Sequence, residues 1–146
     1  MVETKNVLTG QRVAVGSIGD DIHVVGITIL AHALRDAGAE VIQLGIQTSP
    51  QEFVHAAVDE DVDAVFVSSS NGHARIFCDD LPKSFAEAGI GDVLLYVGGN
   101  LAVTASAQWV DVERDFLELG FDRAFPPRTA PAVAVEALAN DLEETE

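Results

Sequence analysis

The sequence predicts an open α/β domain with five parallel strands in the order 2-1-3-4-5, doubly wound, with helices on both faces. Three observations predict it. Short β-branched runs alternate along the chain with longer stretches of helical periodicity. Three helical stretches end at a glycine, Gly38, Gly89 and Gly120, and a strand follows each within a few residues. The 146 residues amount to one domain, spanning 1–146 with a core over about 12–142 and no internal linker. Five βα units joined by right-handed crossovers leave few topologies, and this order is the default among them.

The elements follow in order. Arg12 to Ile18 (RVAVGSI) reads as a buried strand. From Val24 to Ala37, the residues Ile27, Leu30, Leu34 and Ala37 fall at helical spacing, and Gly38 stands where a left-handed cap belongs. Glu40 to Leu44 is a second strand. Ser49-Pro50-Gln51-Glu52 is a capping box with proline at the first helical position, so a helix starts there. Asp63 to Ser68 is a third strand, and the helix after it ends at Gly89. Val93 to Val97 is a fourth, closed by Gly98-Gly99. A helix through Trp109 to Leu119 stops at Gly120, Arg123 to Phe125 is a short fifth strand, and a last helix begins near Pro131 and runs into an acidic tail. The first ten residues and the tail are expected to fray.

Composition narrows the function. The chain is 48% hydrophobic, enough for a core. Eight basic residues against 24 acidic ones give a net charge of −16. Such a surface repels phosphate backbones and anionic lipid, which argues against nucleic acid and membrane partners. No apolar run is long enough to span a bilayer, and Met1 to Arg12 lacks the apolar stretch of a signal peptide. The single cysteine, Cys78, excludes an internal disulfide, so a reducing cytoplasm is expected. Only Lys5 and Lys83 are lysines. An acidic surface so poor in lysine points to a host with a salty cytoplasm, the alternative being an ordinary acidic protein.

In an open α/β sheet, ligands bind at the carboxyl ends of the strands where the strand order reverses. For this flavodoxin-like (Rossmann-like) order, that directs attention to the loops after the first, third and fourth strands. They read Gly19 to Gly26, Ser68 to His73, and Gly98-Gly99-Asn100. Asp20 and Asp21 would repel a phosphate, which speaks against a flavin phosphate site. A phospho-receiver needs an aspartate at the end of the third strand and a lysine after the fifth. Ser68-Ser69-Ser70 and Pro126-Pro127-Arg128 stand there instead. Asp21 and His23 remain, two residues apart. A carboxylate on one imidazole nitrogen fixes the tautomer and frees the other nitrogen for a metal. The plainer alternative is an aspartate capping the first helix beside an exposed histidine. A third possibility is a hydrolase holding a divalent ion with Asp20, Asp21, His23 and His73.

Taken together, the loops resemble the cobalamin-binding domain family, whose motif is Asp-x-His-x-x-Gly, then Ser-x-Leu, then Gly-Gly. Here it reads Asp21-Ile22-His23-Val24-Val25-Gly26; 41 residues then precede Ser68-Ser69-Ser70, and 27 more precede Gly98-Gly99. From Arg12 to Leu142 the chain further resembles the small-subunit family of glutamate mutase (methylaspartate mutase), through Gln51-Glu52-Phe53, Val97-Gly98-Gly99-Asn100 and Gly120 to Pro127. Ser70 departs from the motif, which has leucine there.

The resemblance implies adenosylcobalamin as cofactor and His23 as the lower axial cobalt ligand, with Asp21 on its far nitrogen. It implies that Ser68 hydrogen-bonds the dimethylbenzimidazole nitrogen, and that Gly26, Gly98 and Gly99 make room for the nucleotide tail. Ile22, Val24, Val25 and Ser70 fall in the same binding motifs. It also implies a subunit of an isomerase that interconverts L-glutamate and threo-3-methylaspartate by radical rearrangement. The partner would be a large (epsilon/E) catalytic subunit in a heterotetramer of two small and two large chains. No catalytic residue is expected in this chain. The competing reading is a corrinoid carrier for methyl transfer. Such carriers usually place a helical domain before the cobalamin domain, whereas about eleven residues precede the first strand here. His32 and His55 read as solvated, Cys78 as a small, partly buried residue, and Trp109 as a packing anchor.

Overall fold

The computed structural model describes residues 7–18, 25–69, 78–99, 108–126 and 129–144. The elements alternate: β1 (Arg12–Ile18), α1 (Val25–Asp36), β2 (Glu40–Thr48), α2 (Pro50–Asp59), β3 (Ala64–Ser69), α3 (Leu81–Glu87), β4 (Leu94–Gly99), α4 (Trp109–Leu119), β5 (Arg123–Ala124) and α5 (Pro131–Glu144). All strand pairs are parallel and the sheet order is β2-β1-β3-β4-β5, as the sequence predicts.

Alternation along the strands sorts the core into two layers. Val13, Val15, Ala64, Phe66, Leu94 and Tyr96 face α1 and α5, where they meet Leu34 and Leu138. Ala14, Val65, Val67, Leu95 and Val97 face the other way and meet Phe53, Phe85 and Phe116. Runs without polar interruption are what a strand buried on both faces requires. Cys78 is fully buried in the second layer, deeper than its sequence context suggests, and burial pushes its thiol up to about 12.

The helix boundaries follow local chemistry. Ser49 Oγ accepts from Glu52 N at 3.1 Å and Glu52 Oε1 accepts from Ser49 N at 3.3 Å, so the capping box is closed. Gly38, Gly89 and Gly120 take φ of +101°, +80° and +115° and turn the chain into the next strand. Gly38 is required twice over, because a Cβ there would lie 2.6 Å from Thr9 Oγ1.

Four expectations change. The strand β2 runs to Thr48 instead of ending at Leu44. Two register shifts each add one residue to β2, where Gly45 (φ +86°) and Gln47 (φ +54°) take left-handed conformations, and pairing continues with Gly16 opposite Gly45 and Ile18 opposite Thr48. Gly98 and Gly99 do not close β4 as a turn; they are its last two residues, paired with Ser68 and Ser69. The strand β5 stops at Ala124, although Phe125 N still donates to Val97 O at 2.8 Å. Finally, the start of the chain does not fray from residue 7 onward. Leu8 is fully buried, N-terminal to the expected core boundary, and its N–H reaches Ala37 O at 2.8 Å.

The amino ends of the strands carry ionic locks. Arg12 Nε meets Glu40 Oε2 at 2.8 Å and its Nη1 donates to Glu60 O at 2.8 Å. Arg123 forks onto Asp141 at 2.7 and 2.9 Å, and the Tyr96 hydroxyl donates to the same carboxylate. This joins β4, β5 and α5. The Arg123 hydrogen bonds hold the Asp141 carboxyl below its ordinary value, while burial first and Asp141 second push the Tyr96 phenol up. Among the described residues no helix is long and apolar enough to cross a membrane.

Candidate functional site

A cavity of about 310 Å³ opens at the carboxyl ends of β3 and β4, on the face covered by α1 and α5. Its position follows from the strand register. One row across the sheet reads Val15, Phe66, Tyr96; the next row toward the carboxyl ends on the same face reads Ser17, Ser68, Gly98. Large side chains fill the first row and small ones leave the second open. Ile29 and Leu30 of α1, Phe125 and Pro126 after β5, and Ala134 of α5 form the walls.

Among the described residues lining the cavity, none is ionisable, and side-chain hydroxyls come from Ser68 and Thr129. Thr129 Oγ1 is committed, donating to Pro126 O at 2.6 Å. No hydrogen bond within the described residues engages the half-buried Ser68 hydroxyl. The aromatic floor is fixed by its own contacts: Phe66 stands edge-on to Tyr96 at 4.9 Å and stacks toward Phe125 at 6.3 Å. The cavity therefore offers an apolar slot with one uncommitted donor. It suits a flat, uncharged ring that brings a single acceptor.

Gly98 shows that this space is not a by-product of packing. A Cβ added there would meet nothing closer than Phe125 Cβ at 3.6 Å, an ordinary contact, and the backbone is not left-handed. Neither sterics nor backbone conformation demands glycine at this position. What a side chain would do is occupy the cavity floor.

Of the site residues expected from sequence, Ser68 and Gly98 come together in the cavity. Gly99 ends β4 beside Ser69, and Val25 and Gly26 open α1. Asp21, Ile22, His23, Val24 and Ser70 lie outside the described residues, as do Asp20 and His73. Sequence reasoning missed the walls, chiefly Phe66, Phe125, Pro126 and Thr129. Phe66 was findable from alternation, two residues before Ser68 on the same face of its strand.

The B12 binding domain family matches residues 11–124 of the chain. A glutamate mutase sigma subunit from Carboxydothermus hydrogenoformans is 50% identical over 131 residues, covering 90% of this chain and 95% of that protein. The chain belongs to the glutamate mutase sigma-subunit family of B12 binding domains. Within this family, glutamate mutase sigma subunit 1 of Haloarcula marismortui is 52% identical over 135 residues, 92% of this chain and 88% of that protein. A crystal structure of a cobalamin-binding protein from Desulfitobacterium hafniense superposes with a TM-score of 0.74 at 18% identity over 90% of this chain. This chain spans 59% of that protein, and the likeness shows a shared fold.

Proposed function

We propose that this chain binds adenosylcobalamin as the small subunit of a glutamate mutase. The cavity floored by Ser68 and Gly98 carries the reading, because its chemistry matches the nucleotide tail of cobalamin. The dimethylbenzimidazole of that tail is flat and apolar and has one ring nitrogen free to accept a hydrogen bond. Ser68 would donate to that nitrogen, Gly98 keeps the floor clear, and Phe66 and Phe125 supply aromatic contact. Gly26 lets the start of α1 approach the tail. Ile22, Val24, Val25 and Ser70, which fall in the same motifs, would contact the cofactor. His23 would hold the cobalt, and Asp21 would accept a hydrogen bond from its other ring nitrogen, fixing the tautomer and raising ligand basicity.

When bound, adenosylcobalamin supplies a 5′-deoxyadenosyl radical through homolysis of its cobalt–carbon bond. This chain's part is to grip and orient. Clamping the two carboxylates of glutamate calls for convergent arginines. Arg12 and Arg123 are instead paired with Glu40 and Asp141, and no arginine is among the described residues lining the cavity. In this reading substrate binding belongs to a large (epsilon/E) catalytic subunit, in an assembly of two small and two large chains. The net charge of −16 and the two lysines fit a salt-rich cytoplasm as the working environment.

The test is a spectrophotometric titration with hydroxocobalamin, followed by a mutase assay with the large subunit. The bound cofactor should show histidine in place of its own base on cobalt. His23→Ala should abolish that spectrum, and Asp21→Asn should weaken binding about 10- to 100-fold. An unchanged spectrum and affinity in His23→Ala would overturn the axial assignment. Corrinoid binding without mutase activity, together with acceptance of a methyl group, would favour a methyl carrier.

A further inference from the structure

Tyr96 pairs in register with Phe66 but does not itself line the cavity. It is 0% exposed, in a place that phenylalanine would fill without a hydroxyl to satisfy. Its ring stands edge-on to both aromatic residues that line the cavity, Phe66 at 4.9 Å and Phe125 at 5.6 Å. Its hydroxyl reaches α5. It donates to the Asp141 carboxylate and lies 3.4 Å from the carbonyl oxygen of Ala137, one turn beyond Ala134 in the cavity wall. Asp141 is gripped in turn by the fork of Arg123, which stands two residues before Phe125. That ion pair joins points 18 residues apart, and half of the described lining lies between them: Phe125, Pro126, Thr129, Ala130, Pro131 and Ala134. One carboxylate thus ties the two ends of this wall together, and the phenol that shares it touches the floor.

We infer that Tyr96 and Asp141 are positioning residues: with Arg123 they hold the cavity wall against its aromatic floor and thereby set affinity for the nucleotide tail of a corrinoid. The inference rests on the cobalamin reading of the cavity. None of the three lines the cavity. They act through Phe66, Phe125 and α5, whose far end they fix to the sheet. A wall already in place loses less freedom when a ring arrives.

The test uses two corrinoids, hydroxocobalamin with its tail and diaquocobinamide without one. The wild-type chain, Tyr96→Phe, Asp141→Asn and Phe85→Leu are titrated with each, well below their melting temperatures, following the visible spectrum. Tyr96→Phe removes one oxygen and keeps both ring contacts, and should weaken hydroxocobalamin binding about three- to tenfold. Asp141→Asn loosens the grip on Arg123 as well and should weaken it at least as much. Phe85→Leu lowers stability from the opposite layer of the core, away from the cavity, and should bind hydroxocobalamin as wild type does. Cobinamide affinity should be the same in all four proteins. Equal losses for both corrinoids in Tyr96→Phe would reduce the network to a structural role and overturn the inference. So would unchanged hydroxocobalamin binding in Tyr96→Phe, the variant least disturbing to the fold, or a tail-dependent loss of the same size in Phe85→Leu. Failure of the parent reading looks different: the wild-type chain itself would leave both corrinoid spectra unchanged, and the role of the network would fall with it.

Discussion

Gly98 and Gly16 are both strand glycines, and alanine should act on them in opposite ways. At Gly98 the nearest atom to an added Cβ is Phe125 Cβ at 3.6 Å, so the unliganded protein accommodates it. Replacing glycine by alanine also removes freedom from the unfolded chain, and Gly98→Ala should leave the apoprotein as stable as before or more stable by up to ~1 kcal/mol. The added methyl nevertheless stands on the cavity floor. Overfilling a packed space costs about 1–3 kcal/mol. Here that cost falls on the bound state, equivalent to roughly 5- to 150-fold weaker binding of hydroxocobalamin. At Gly16 an added Cβ would sit 3.1 Å from both Leu44 Cβ and Phe53 Cζ and 3.2 Å from Thr48 Oγ1. All three belong to packed elements, so Gly16→Ala should destabilise the apoprotein itself by about 1–3 kcal/mol, or about 2–10 °C in melting temperature. Thermal melts of the apoproteins and corrinoid titrations of both variants give the four numbers needed. A Gly98→Ala protein that melts as low as Gly16→Ala, or that binds hydroxocobalamin as tightly as wild type, would refute the argument.

Three further outcomes are expected. Arg123 lowers the Asp141 carboxyl below its ordinary 3.8, so the stability it contributes is present above that value and is lost as pH falls through the lowered one. Asp141→Asn should therefore cost about 1–3 kcal/mol in urea unfolding at pH 7, with the gap to wild type closing below about pH 4; a gap independent of pH would contradict this. Cys78, buried with its thiol pushed up to about 12, should resist iodoacetamide at pH 8 in the native protein and react only as urea unfolds it. Self-repulsion at a net charge of −16 should make melting temperature climb with KCl from millimolar to molar, and a flat profile would remove the case for a salt-adapted chain.

What could be read from the sequence was whatever local chemistry determines. Gly38, Gly89 and Gly120 announce helix ends because no other residue takes a positive φ so cheaply. Ser49 and Glu52 announce a helix start because both halves of the capping box lie within four residues. The errors came where a neighbouring strand decides. Gly45 looks like a terminator, yet β1 continues and gives the bulged chain something to pair with. Gly98-Gly99 looks like a turn, yet Ser68 and Ser69 hold both residues in the ladder. At the site, Ser68 and Gly98 could be read from a motif, whereas Phe125 and Thr129 reach the cavity only because β5 ends against β4 and the chain then climbs to α5.

The placement of charge explains how such a slot can open. Arg12 with Glu40, Asp122 Oδ2 on Leu95 N at 2.8 Å, and Arg123 with Asp141 all lie at the amino ends of the strands. They fasten β2 to β1, β5 to β4 and the far end of α5 to the sheet. The opposite ends of α1 and α5 are their N-terminal ends, and they cover the cavity with Ile29, Leu30, Pro131 and Ala134. Spreading these ends to admit a ring breaks no described ion pair and leaves no described charge stranded, whereas burying an ion beneath a ligand costs several kcal/mol. In a chain with 24 carboxylates, a neutral lining is not what composition alone would supply. It arises because the row Ser17–Ser68–Gly98 is small and uncharged, and none of the described acidic residues lines the cavity. Among the described residues, ionic locks thus fasten the amino ends of the strands, while apolar side chains of α1 and α5 meet the carboxyl ends, the division of labour an apolar ligand slot requires.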